Sequence, residues 1–317
     1  MKYSIIPLLL LASAKLSAQG KVNMNDSLRA EKKQPIATAP PLMGRVNVNY
    51  MLAPVDAGTS TFAVSQLTVD EISPLYRLTK KRSPHPLMLR FGLRYQGLFL
   101  ANEKAIDGDN FHSVSIPLML TYVASRNTSI TAILNGGIAS DFRKDVTSDD
   151  LIYVAGVRFG FRQTKRFRLG VTLVYSDTYV GRTLIPMPDF DWTISSRWKL
   201  EAFMPTRLAL KYKLNKTQTL ALVQGLNTAS YRLNDSTKTG KYLQFQQVSG
   251  GLMYELNIGR HWTFNLMGGY AFSQKLQTFN NDQKISFNSL ATMKDRIKLV
   301  SYEKSSPMFQ ATLSFKF

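Results

Sequence analysis

Apolar and polar residues alternate along most of the chain from Gly44 onward, in runs of roughly ten residues. The clearest runs lie at 46–52, 89–95, 114–122, 153–161, 167–175 and 262–272. A period of two places every second side chain on the same face of a β-strand. Runs of about 10 residues suit tilted transmembrane strands, whereas strands of soluble β-sandwiches are usually about 5–6 residues long. The pattern therefore predicts a barrel that crosses a membrane with its strands.

The same pattern gives a fold class and an approximate strand number. We predict an all-β, antiparallel, up-and-down transmembrane β-barrel of about 12–14 strands, formed by residues 44–317. The number depends on two segments, 202–210 and 285–300. In the first, Pro205 either divides one long strand into two or lies within it, because proline removes a donor from the ladder of hydrogen bonds.

The lengths of the connections assign the two ends of the barrel. Short polar connections occur at 125–127, 164–166, 195–197, 215–218 and 259–261, and longer ones at 101–110, 141–150, 232–240 and 276–306. Outer-membrane barrels carry short periplasmic turns and longer external loops. We therefore expect the first set in the periplasm, and 276–306 as the largest external loop, with or without an extra hairpin.

Aromatic residues gather beside the predicted periplasmic turns. They are Trp192, Trp198, Trp262, Tyr122, Phe161 and Phe167. Such side chains favour the interface between lipid and water, where their rings meet the acyl chains and their polar groups meet water. We predict that these six residues form a membrane-interface girdle.

The last predicted strand carries apolar residues at every second position: Phe309, Leu313, Phe315 and Phe317 are among them. A strand of this pattern ending on Phe resembles the closing strand of Gram-negative outer-membrane barrels, which the barrel-assembly machinery recognises. The resemblance implies that these four residues form an assembly signal, and that the protein resides in the cell outer membrane.

The amino-terminal segment predicts export. Lys2 precedes the apolar stretch 5–12, and small residues follow, as in a secretory signal peptide of residues 1–18. Cleavage after Ala18 is expected, with Ala14 as the alternative. Residues 19–43 are polar and contain prolines, and we interpret them as a flexible periplasmic leader.

Composition excludes several classes of site. The chain has no cysteine, which excludes disulfides, thiol chemistry and a lipidated lipoprotein anchor, and its three histidines make a histidine-rich metal site improbable. No motif for a metal or cofactor is found, and none is expected. The formal net charge is +19. Because the chain is predicted to be exported, we expect no nucleic-acid partner; lipopolysaccharide phosphates and outer-membrane lipid are the expected partners.

Strand parity places many charged side chains inside the barrel. The predicted lumen-lining residues are Arg90, Arg94, Arg158, Arg162, Arg168, Lys199, Glu201, Lys211 and Glu255. On the lipid face each charge would cost about 2–4 kcal/mol at the membrane midplane, so they are expected to point inward. The excess of arginine favours anions, while the carboxylates are expected to serve as counter-ions in salt-bridged packing.

Catalytic residues are not expected. An outer-membrane phospholipase needs a His and a Ser on one face of a strand, so that imidazole can activate the hydroxyl. Here Ser113 follows His112 directly and therefore faces the other way. Pairs brought together from different strands stay open, and a lipid hydrolase is the third interpretation of the chain.

The middle third of the chain carries a family resemblance. Residues 185–205 form the stretch IPMPDFDWTISSRWKLEAFMP, followed by Leu-Lys-Tyr at 210–212 and Tyr-Arg-Leu at 231–233. This is similar to an uncharacterised family of Gram-negative outer-membrane β-barrels, classed as a domain of unknown function. The resemblance implies a fold and a membrane but brings no activity.

The sequence leaves two main functional interpretations. The first is a pore or transport-type channel with a basic, anion-preferring lumen and an unknown solute. The alternative is a closed barrel that acts as an anchoring or interaction protein and binds lipopolysaccharide or a periplasmic partner.

Overall fold

The structure is a computed structural model that describes residues 44–56, 61–80, 83–102, 105–106, 108–233, 240–284 and 296–317. All of these residues lie in a single compact unit, Thr38–Phe317. The predicted signal peptide, 1–18, and the predicted leader, 19–43, lie outside the described residues.

The described residues form one antiparallel sheet and two short 3-10 turns. The strands are β1 (Arg45–Asp56), β2 (Thr61–Ile72), β3 (Tyr76–Arg77), β4 (Leu87–Ala101), β5 (Asn110–Val123), β6 (Thr128–Ser140), β7 (Leu151–Arg162), β8 (Phe167–Thr178), β9 (Gly181–Thr193), β10 (Trp198–Phe203), β11 (Arg207–Lys213), β12 (Gln218–Leu233), β13 (Lys241–Ile258), β14 (Trp262–Asn280) and β15 (Val300–Lys316). The 3-10 turns span Ser148–Asp150 and Asn281–Gln283.

The sheet closes on itself. Consecutive strands pair antiparallel, except that β2 and β3 do not pair with each other and β2 pairs with β4 instead. The last strand, β15, returns to β1 with Arg45 opposite Lys316. The short strand β3 continues β2 along the same neighbour after an interruption at residues 73–75, so the two count as one. The barrel thus has 14 strands, and the predicted fold class is confirmed. Pro205 does divide its segment, because β10 ends at Phe203 and β11 begins at Arg207.

The outer face of the barrel is apolar. Large side chains that are at least 37% exposed line it, including Phe91, Leu118, Val157, Leu173, Leu222, Leu252, Leu266 and Phe309. A continuous apolar surface of this kind suits contact with lipid rather than with water. Among the described residues, no helix is both long and apolar enough to cross a membrane.

Connections of different length define the two ends. The short-turn end carries residues 124–127, 163–166, 194–197, 214–217 and 259–261, together with the longer connection 78–86. The long-loop end carries 102–109, 141–150, 234–240 and 281–299, together with the two-residue turn 179–180. The loop predicted at 276–306 is shorter in the structure, because β14 continues to Asn280 and β15 begins at Val300. Polar side chains stabilise this extension: Lys275 Nζ lies 2.7 Å from Glu303 Oε1, and Gln277 donates to Ser301. The extra hairpin considered for this loop would lie mostly at residues 285–295, which are outside the described residues.

The long-loop half of the barrel is filled by inward-facing apolar side chains, which we call the apolar plug. Its members, each at most 2% exposed, are Val64, Leu98, Leu100, Phe111, Tyr231, Leu243, Phe245 and Leu276. Cross-strand partners share a face, and the pairs Leu98–Phe111 and Tyr231–Leu243 show that the plug spans several strands. The barrel interior is therefore closed at this level by hydrophobic packing.

One strand leaves the barrel wall at the long-loop end. The strands β10 and β11 have only 6 and 7 residues, whereas β12 has 16. The upper part of β12 crosses to β6, where Arg232 pairs with Ser140 and the Asp141 amide donates to the Arg232 carbonyl at 3.1 Å. The plug consequently sits inside a smaller ring closed between β6 and β12, and the upper parts of β7, β8 and β9 lie outside that ring.

Candidate functional site: a polar lumen below an apolar plug

A polar cavity of about 500 Å³ occupies the lumen between the short-turn end and the plug. Amide side chains supply much of its wall: Asn47, Asn49, Gln66, Gln96, Asn227 and Gln310. They are inward-facing positions of β1, β2, β4, β12 and β15, which alternation places opposite the lipid face. Such a wall can hydrogen-bond water or a polar solute along its length.

Two sets of hydrogen bonds fix the amides of this cavity. Gln310 Nε2 and Thr312 Oγ1 both donate to Asn49 Oδ1 at 2.8 Å, which joins β15 to β1 at the seam of the barrel. Asn227 Nδ2 donates to Gln66 Oε1 at 2.5 Å. Because β12 and β2 are not neighbours in the sheet, this second bond crosses the lumen directly beneath the plug.

The cavity is basic. Arg45, Arg94 and Arg207 line it, and Arg94 forms an ion pair with Asp70. Among the described residues, Arg45 and Arg207 have no carboxylate partner within ion-pair distance. A concave surface with uncompensated cations concentrates anions near it.

A chain of alternating charges crosses the lumen wall near the short-turn end, and we call it the charge ladder. Its members are Arg168, Asp191, Lys199, Glu201, Lys211 and Glu255. Lys199 Nζ lies 3.1 Å from Asp191 and 2.6 Å from Glu201, and Lys211 Nζ lies 3.0 Å from Glu201 and 3.8 Å from Glu255. Four of these residues border a second cavity of about 360 Å³. Asp191 and Glu201 each lie between two cations, and Glu255 contacts Lys211 alone, so the three carboxylates balance the three cations of the ladder.

A separate ion pair, Arg158 with Asp189, packs against the inner wall over Gly160 and Gly170. Arg158 donates to Asp189 from Nε at 2.9 Å and from Nη2 at 2.6 Å, the two-pronged geometry that suits guanidinium and carboxylate. A Cβ at Gly170 would lie 2.4 Å from Asp189 Oδ2, and one at Gly160 would lie 2.7 Å from Arg158 Nη1. The absence of side chains there leaves the space that the pair occupies.

The predicted lumen residues do not gather at one constriction. Arg94 lines the polar cavity, Arg158 and Arg168 border a third cavity of about 220 Å³, and Lys199, Glu201, Lys211 and Glu255 lie in or beside the ladder. Arg90 points inward but is only 6% exposed, so packing covers it. Arg162 is half-buried and donates to the Thr164 carbonyl at 3.2 Å, which places it at a turn rather than in a cavity.

Sequence reasoning missed several charged residues of the lumen. Arg45 and Asp70 occupy inward-facing positions of β1 and β2, but they lie outside the runs whose alternation is clearest in the sequence. The face of Arg207 could not be predicted, because it depends on where β11 begins after Pro205. Asp189 and Asp191 also belong to the lumen, and their partners Arg158 and Arg168 come from other strands.

The predicted girdle residues lie at the strand ends that face the short turns. Trp192, Trp198 and Trp262 are 42–45% exposed and point outward. Their rings contact neighbouring aromatics: Phe167 with Trp192 at 6.4 Å, Trp198 with Tyr212 at 4.7 Å, and Trp262 with Phe315 at 4.7 Å. Tyr122 and Phe161 are 42% and 43% exposed at the same end.

Three residues of the predicted assembly signal, Phe309, Leu313 and Phe315, lie on the outward face of β15, and Phe317 follows directly after the strand. Phe309, Leu313 and Phe317 are 63%, 43% and 44% exposed, and Phe315 stacks on Phe317 at 6.4 Å. The Gly44 amide donates to the Phe317 carbonyl at 3.0 Å, so this strand end lies at the seam of the barrel.

His112 lies on the outward face near the long-loop end. Its Nδ1 is 2.8 Å from the Tyr95 hydroxyl, and its ring contacts Phe99 and Phe142. The residue directly opposite on β6 is Ser140, a pair that chain order could not show. Ser140 is fully buried, and its Oγ lies 3.5 Å from Asp141 Oδ1. Within the described ranges, no group of three acidic or histidine side chains could hold a metal ion.

An ion-pair cluster fastens the loop 141–150 to the end of β12. Arg232 contacts Asp149 at 3.5 Å and Asp150 at 3.4 Å, and the Asp150 side chain is fully buried. The Thr147 amide also donates to Asp150 Oδ2 at 2.7 Å. Nearby, burial raises the pKa of the Tyr179 phenol, and the negative charge of Asp150 adds to that increase.

Solved structures similar to this chain are membrane β-barrels. They include the NanC porin (9% identity, 86% of this chain and 100% of that chain, TM-score 0.33) and the translocator domain of the autotransporter NalP from Neisseria meningitidis (10% identity, 92% and 96%, TM-score 0.34). The COG4313 outer membrane channel from Pseudomonas putida F1 matches with 10% identity over 89% of this chain and 98% of that chain, with a TM-score of 0.37. At these values the likenesses carry no argument about this chain.

Comparison with curated proteins finds no match. A family model does match, and it covers residues 66–316, from the middle of β2 to the end of β15. The match spans most of the barrel, including the charge ladder and the short hairpin β10–β11. The chain therefore belongs to the family described as Domain of unknown function (DUF6268).

Proposed function

We propose that this protein is a channel-type barrel of the bacterial outer membrane, without enzymatic activity, whose basic lumen prefers anions. The observation that supports the proposal is the polar cavity of about 500 Å³ in the barrel lumen, which is lined by Arg45 and Arg207. Neither arginine has a carboxylate partner among the described residues, so an entering anion would meet uncompensated positive charge.

The proposed location rests on the barrel itself and on the sequence. An apolar outer face and a row of interfacial aromatics suit a membrane, and a signal peptide is predicted at residues 1–18. The short-turn end would face the periplasm. The long loops would then face lipopolysaccharide, and the outward face of β15 would meet the barrel-assembly machinery.

The plug sets the expected size of the current. Phe111, Phe245 and Tyr231 are fully buried, so their rings are closely packed in the long-loop half of the lumen. Ions would have to pass when these side chains move, or through another route around the plug. We therefore expect small, intermittent currents rather than the steady conductance of an open porin.

Planar-bilayer recording of the refolded full-length protein in a salt gradient tests this function. The wild type should show a reversal potential that favours anions, and the double substitution Arg45→Gln, Arg207→Gln should move it toward zero. Arg182→Gln is the matched control, because Arg182 is exposed near a loop, where it pairs with Asp177 at 3.1 Å. Cation preference in the wild type, or an equal shift in the control, would contradict the proposal.

The plug also favours a second candidate, a closed barrel that anchors or binds a partner. In that case the hydrophobic packing would seal the lumen permanently. The substitution Phe111→Ala removes a fully buried ring from the plug and should increase the current of a channel. If the folded wild type and this folded variant both stay silent, the closed barrel is the better description.

A further inference from the structure

The wall of the barrel has a gap between β9 and β12. The hairpin β10–β11 ends at residues 204–206, and its last bonds are Met204 N to the Pro188 carbonyl at 2.9 Å and Leu226 N to the Thr206 carbonyl at 2.9 Å. Beyond these bonds, residues 181–187 of β9 and residues 227–231 of β12 have no strand partner on the facing edge among the described residues. At about 3.3 Å per residue, the gap is about 20 Å long on the β9 side.

The backbone groups that face the gap follow from strand parity. Since the Leu226 amide points toward β11, the amides and carbonyls of Thr228 and Ser230 point into the gap. The carbonyl of Pro188 points toward β10, so Pro186 also faces the gap but has no N–H to offer. The β9 edge thus lacks donors at two positions, which opposes pairing with an added strand.

The gap lies at the height of lipid. On β8, directly beside the upper part of β9, the outward side chains of Leu173 and Tyr175 are 45% and 37% exposed. Open sheet edges do not face hydrocarbon directly, because unpaired backbone groups cost several kcal/mol each there. Such an edge is tolerated where it borders a cavity or a bound molecule that covers it.

The two sides of the gap have different chemistry. On the β9 side, the inward side chains Ile185 and Met187 are apolar, and Ile185 is 42% exposed although it points away from the lipid face. On the β12 side, the face that carries Leu220 and Leu222 continues with Gln224 and Leu226 and becomes polar at Thr228 and Ser230, beyond the height where the hairpin ends. The apolar β9 side suits an acyl chain, whereas the free backbone groups of Thr228 and Ser230 on the β12 side require water or another hydrogen-bonding partner.

The foot of the gap connects with the polar cavity. Thr206 and Leu226, whose bond closes the lower end of the gap, both line that cavity, and so does Arg207. An anionic group lodged at the hairpin tip would thus lie near a guanidinium that has no carboxylate partner among the described residues. The positive charge at the foot and the apolar side above it complement a chain with an anionic head.

We propose that the gap between β9 and β12 binds a long-chain carboxylate, a fatty-acid-type amphiphile that enters from the lipid. Its acyl chain lies against Ile185 and Met187 on the β9 side, its carboxylate lies at the hairpin tip toward Arg207, and water continuous with the polar cavity hydrates the edge of β12. Binding at this site does not require ion conduction, so the binding proposal and the channel function are tested by separate experiments.

Site-specific fluorescence quenching tests the proposal, since the chain has no native cysteine. The full-length variant Ile185→Cys is labelled with bimane in phosphatidylcholine vesicles and titrated with dibromostearate, whose bromine atoms quench nearby fluorophores. Leu173→Cys is the matched control, because Leu173 is equally exposed but faces lipid. We expect saturable quenching at Ile185→Cys, displaced by oleate and not by its uncharged methyl ester, and linear quenching at Leu173→Cys.

Further outcomes decide the role of charge and the identity of the occupant. Arg207→Gln in the Ile185→Cys background should weaken dibromostearate binding by about tenfold, as expected for the loss of a charge-assisted hydrogen bond. Linear quenching at both labelled positions overturns the proposal, and so does equal displacement by the methyl ester. Met187→Cys replaces Ile185→Cys if the latter does not fold. A doubled mass in native mass spectrometry, without saturable quenching, would show that a second copy covers the gap and would also overturn it.

Discussion

At the residue scale, the lumen combines large charged side chains with glycines that leave room for them. Arg158 spans from β7 to Asp189 on β9 and passes over Gly170 on β8, which lies between those strands. Parity predicted that Arg158 points inward, but its partner could not be predicted from the sequence. The register of two strand pairs decides which carboxylate it meets.

We predict that Gly170→Ala destabilises the barrel. The new Cβ would lie 2.4 Å from Asp189 Oδ2 and 2.6 Å from Arg158 Nη2, so the ion pair must move. Overpacking of this kind costs about 1–3 kcal/mol in the free energy of unfolding, measurable by urea unfolding in lipid vesicles. Gly268→Ala is the control, since a Cβ there meets nothing within 4 Å. Equal stability of the two variants would contradict the packing argument.

At the element scale, the hairpin β10–β11 determines the shape of the wall. Its strands are too short to support the upper parts of β9 and β12, and β12 instead reaches β6 through Arg232. The same feature creates the small ring around the plug and the gap beside it. The short length of β10 and β11 therefore determines the shape of the barrel wall at this level.

The contact of β12 with the loop 141–150 should depend on Arg232. The change Arg232→Met leaves the buried carboxylate of Asp150 without its cation. Removing one partner of a buried pair costs about 3–5 kcal/mol, and the hydrogen bond from the Thr147 amide reduces that cost. Arg143 and Lys144 in the loop are already exposed, and local opening should free the backbone around them, so trypsin should cleave there faster than in the wild type. Arg182→Met, which removes an exposed pair, should leave the cleavage rate unchanged.

The prolines of β9 should keep the gap edge from pairing with other chains. Pro186→Val restores an N–H donor that points into the gap, and an edge with donors and acceptors can add a strand. We expect more dimers and larger species in light scattering of the detergent-solubilised variant. Met187→Val is the control, because the amide of residue 187 faces β8 instead. An unchanged size distribution for Pro186→Val would count against this role.

At the scale of the whole molecule, the barrel has an apolar half and a polar half stacked along its axis. The plug occupies the long-loop half, and the cavity and the charge ladder occupy the short-turn half. The three carboxylates of the ladder balance its three cations, and within the 500 Å³ cavity the arginines without a carboxylate partner among the described residues are Arg45 and Arg207.

Anion preference should weaken as salt concentration rises. The Debye length is about 10 Å at 0.1 M ionic strength and about 3 Å at 1 M, so salt screens the field of Arg45 and Arg207 across the lumen. Reversal potentials at a fixed KCl ratio, recorded at low and at high mean concentration, should show a larger anion preference in the dilute series. The double variant Arg45→Gln, Arg207→Gln should show little dependence on concentration. A wild-type preference that does not change with salt would mean that another feature selects the ion.

The sequence alone determined the fold class, the approximate strand number, the two faces of most strands, and the end at which the tryptophans lie. These properties are local, because a period of two, a proline or a short polar turn acts within a few residues. Tertiary structure decided the partner of each charge, the apolar plug, the Ser140–His112 pairing and the gap between β9 and β12. Those depend on register and relative strand length between segments far apart in the chain, where a shift of one residue moves every side chain to the other face.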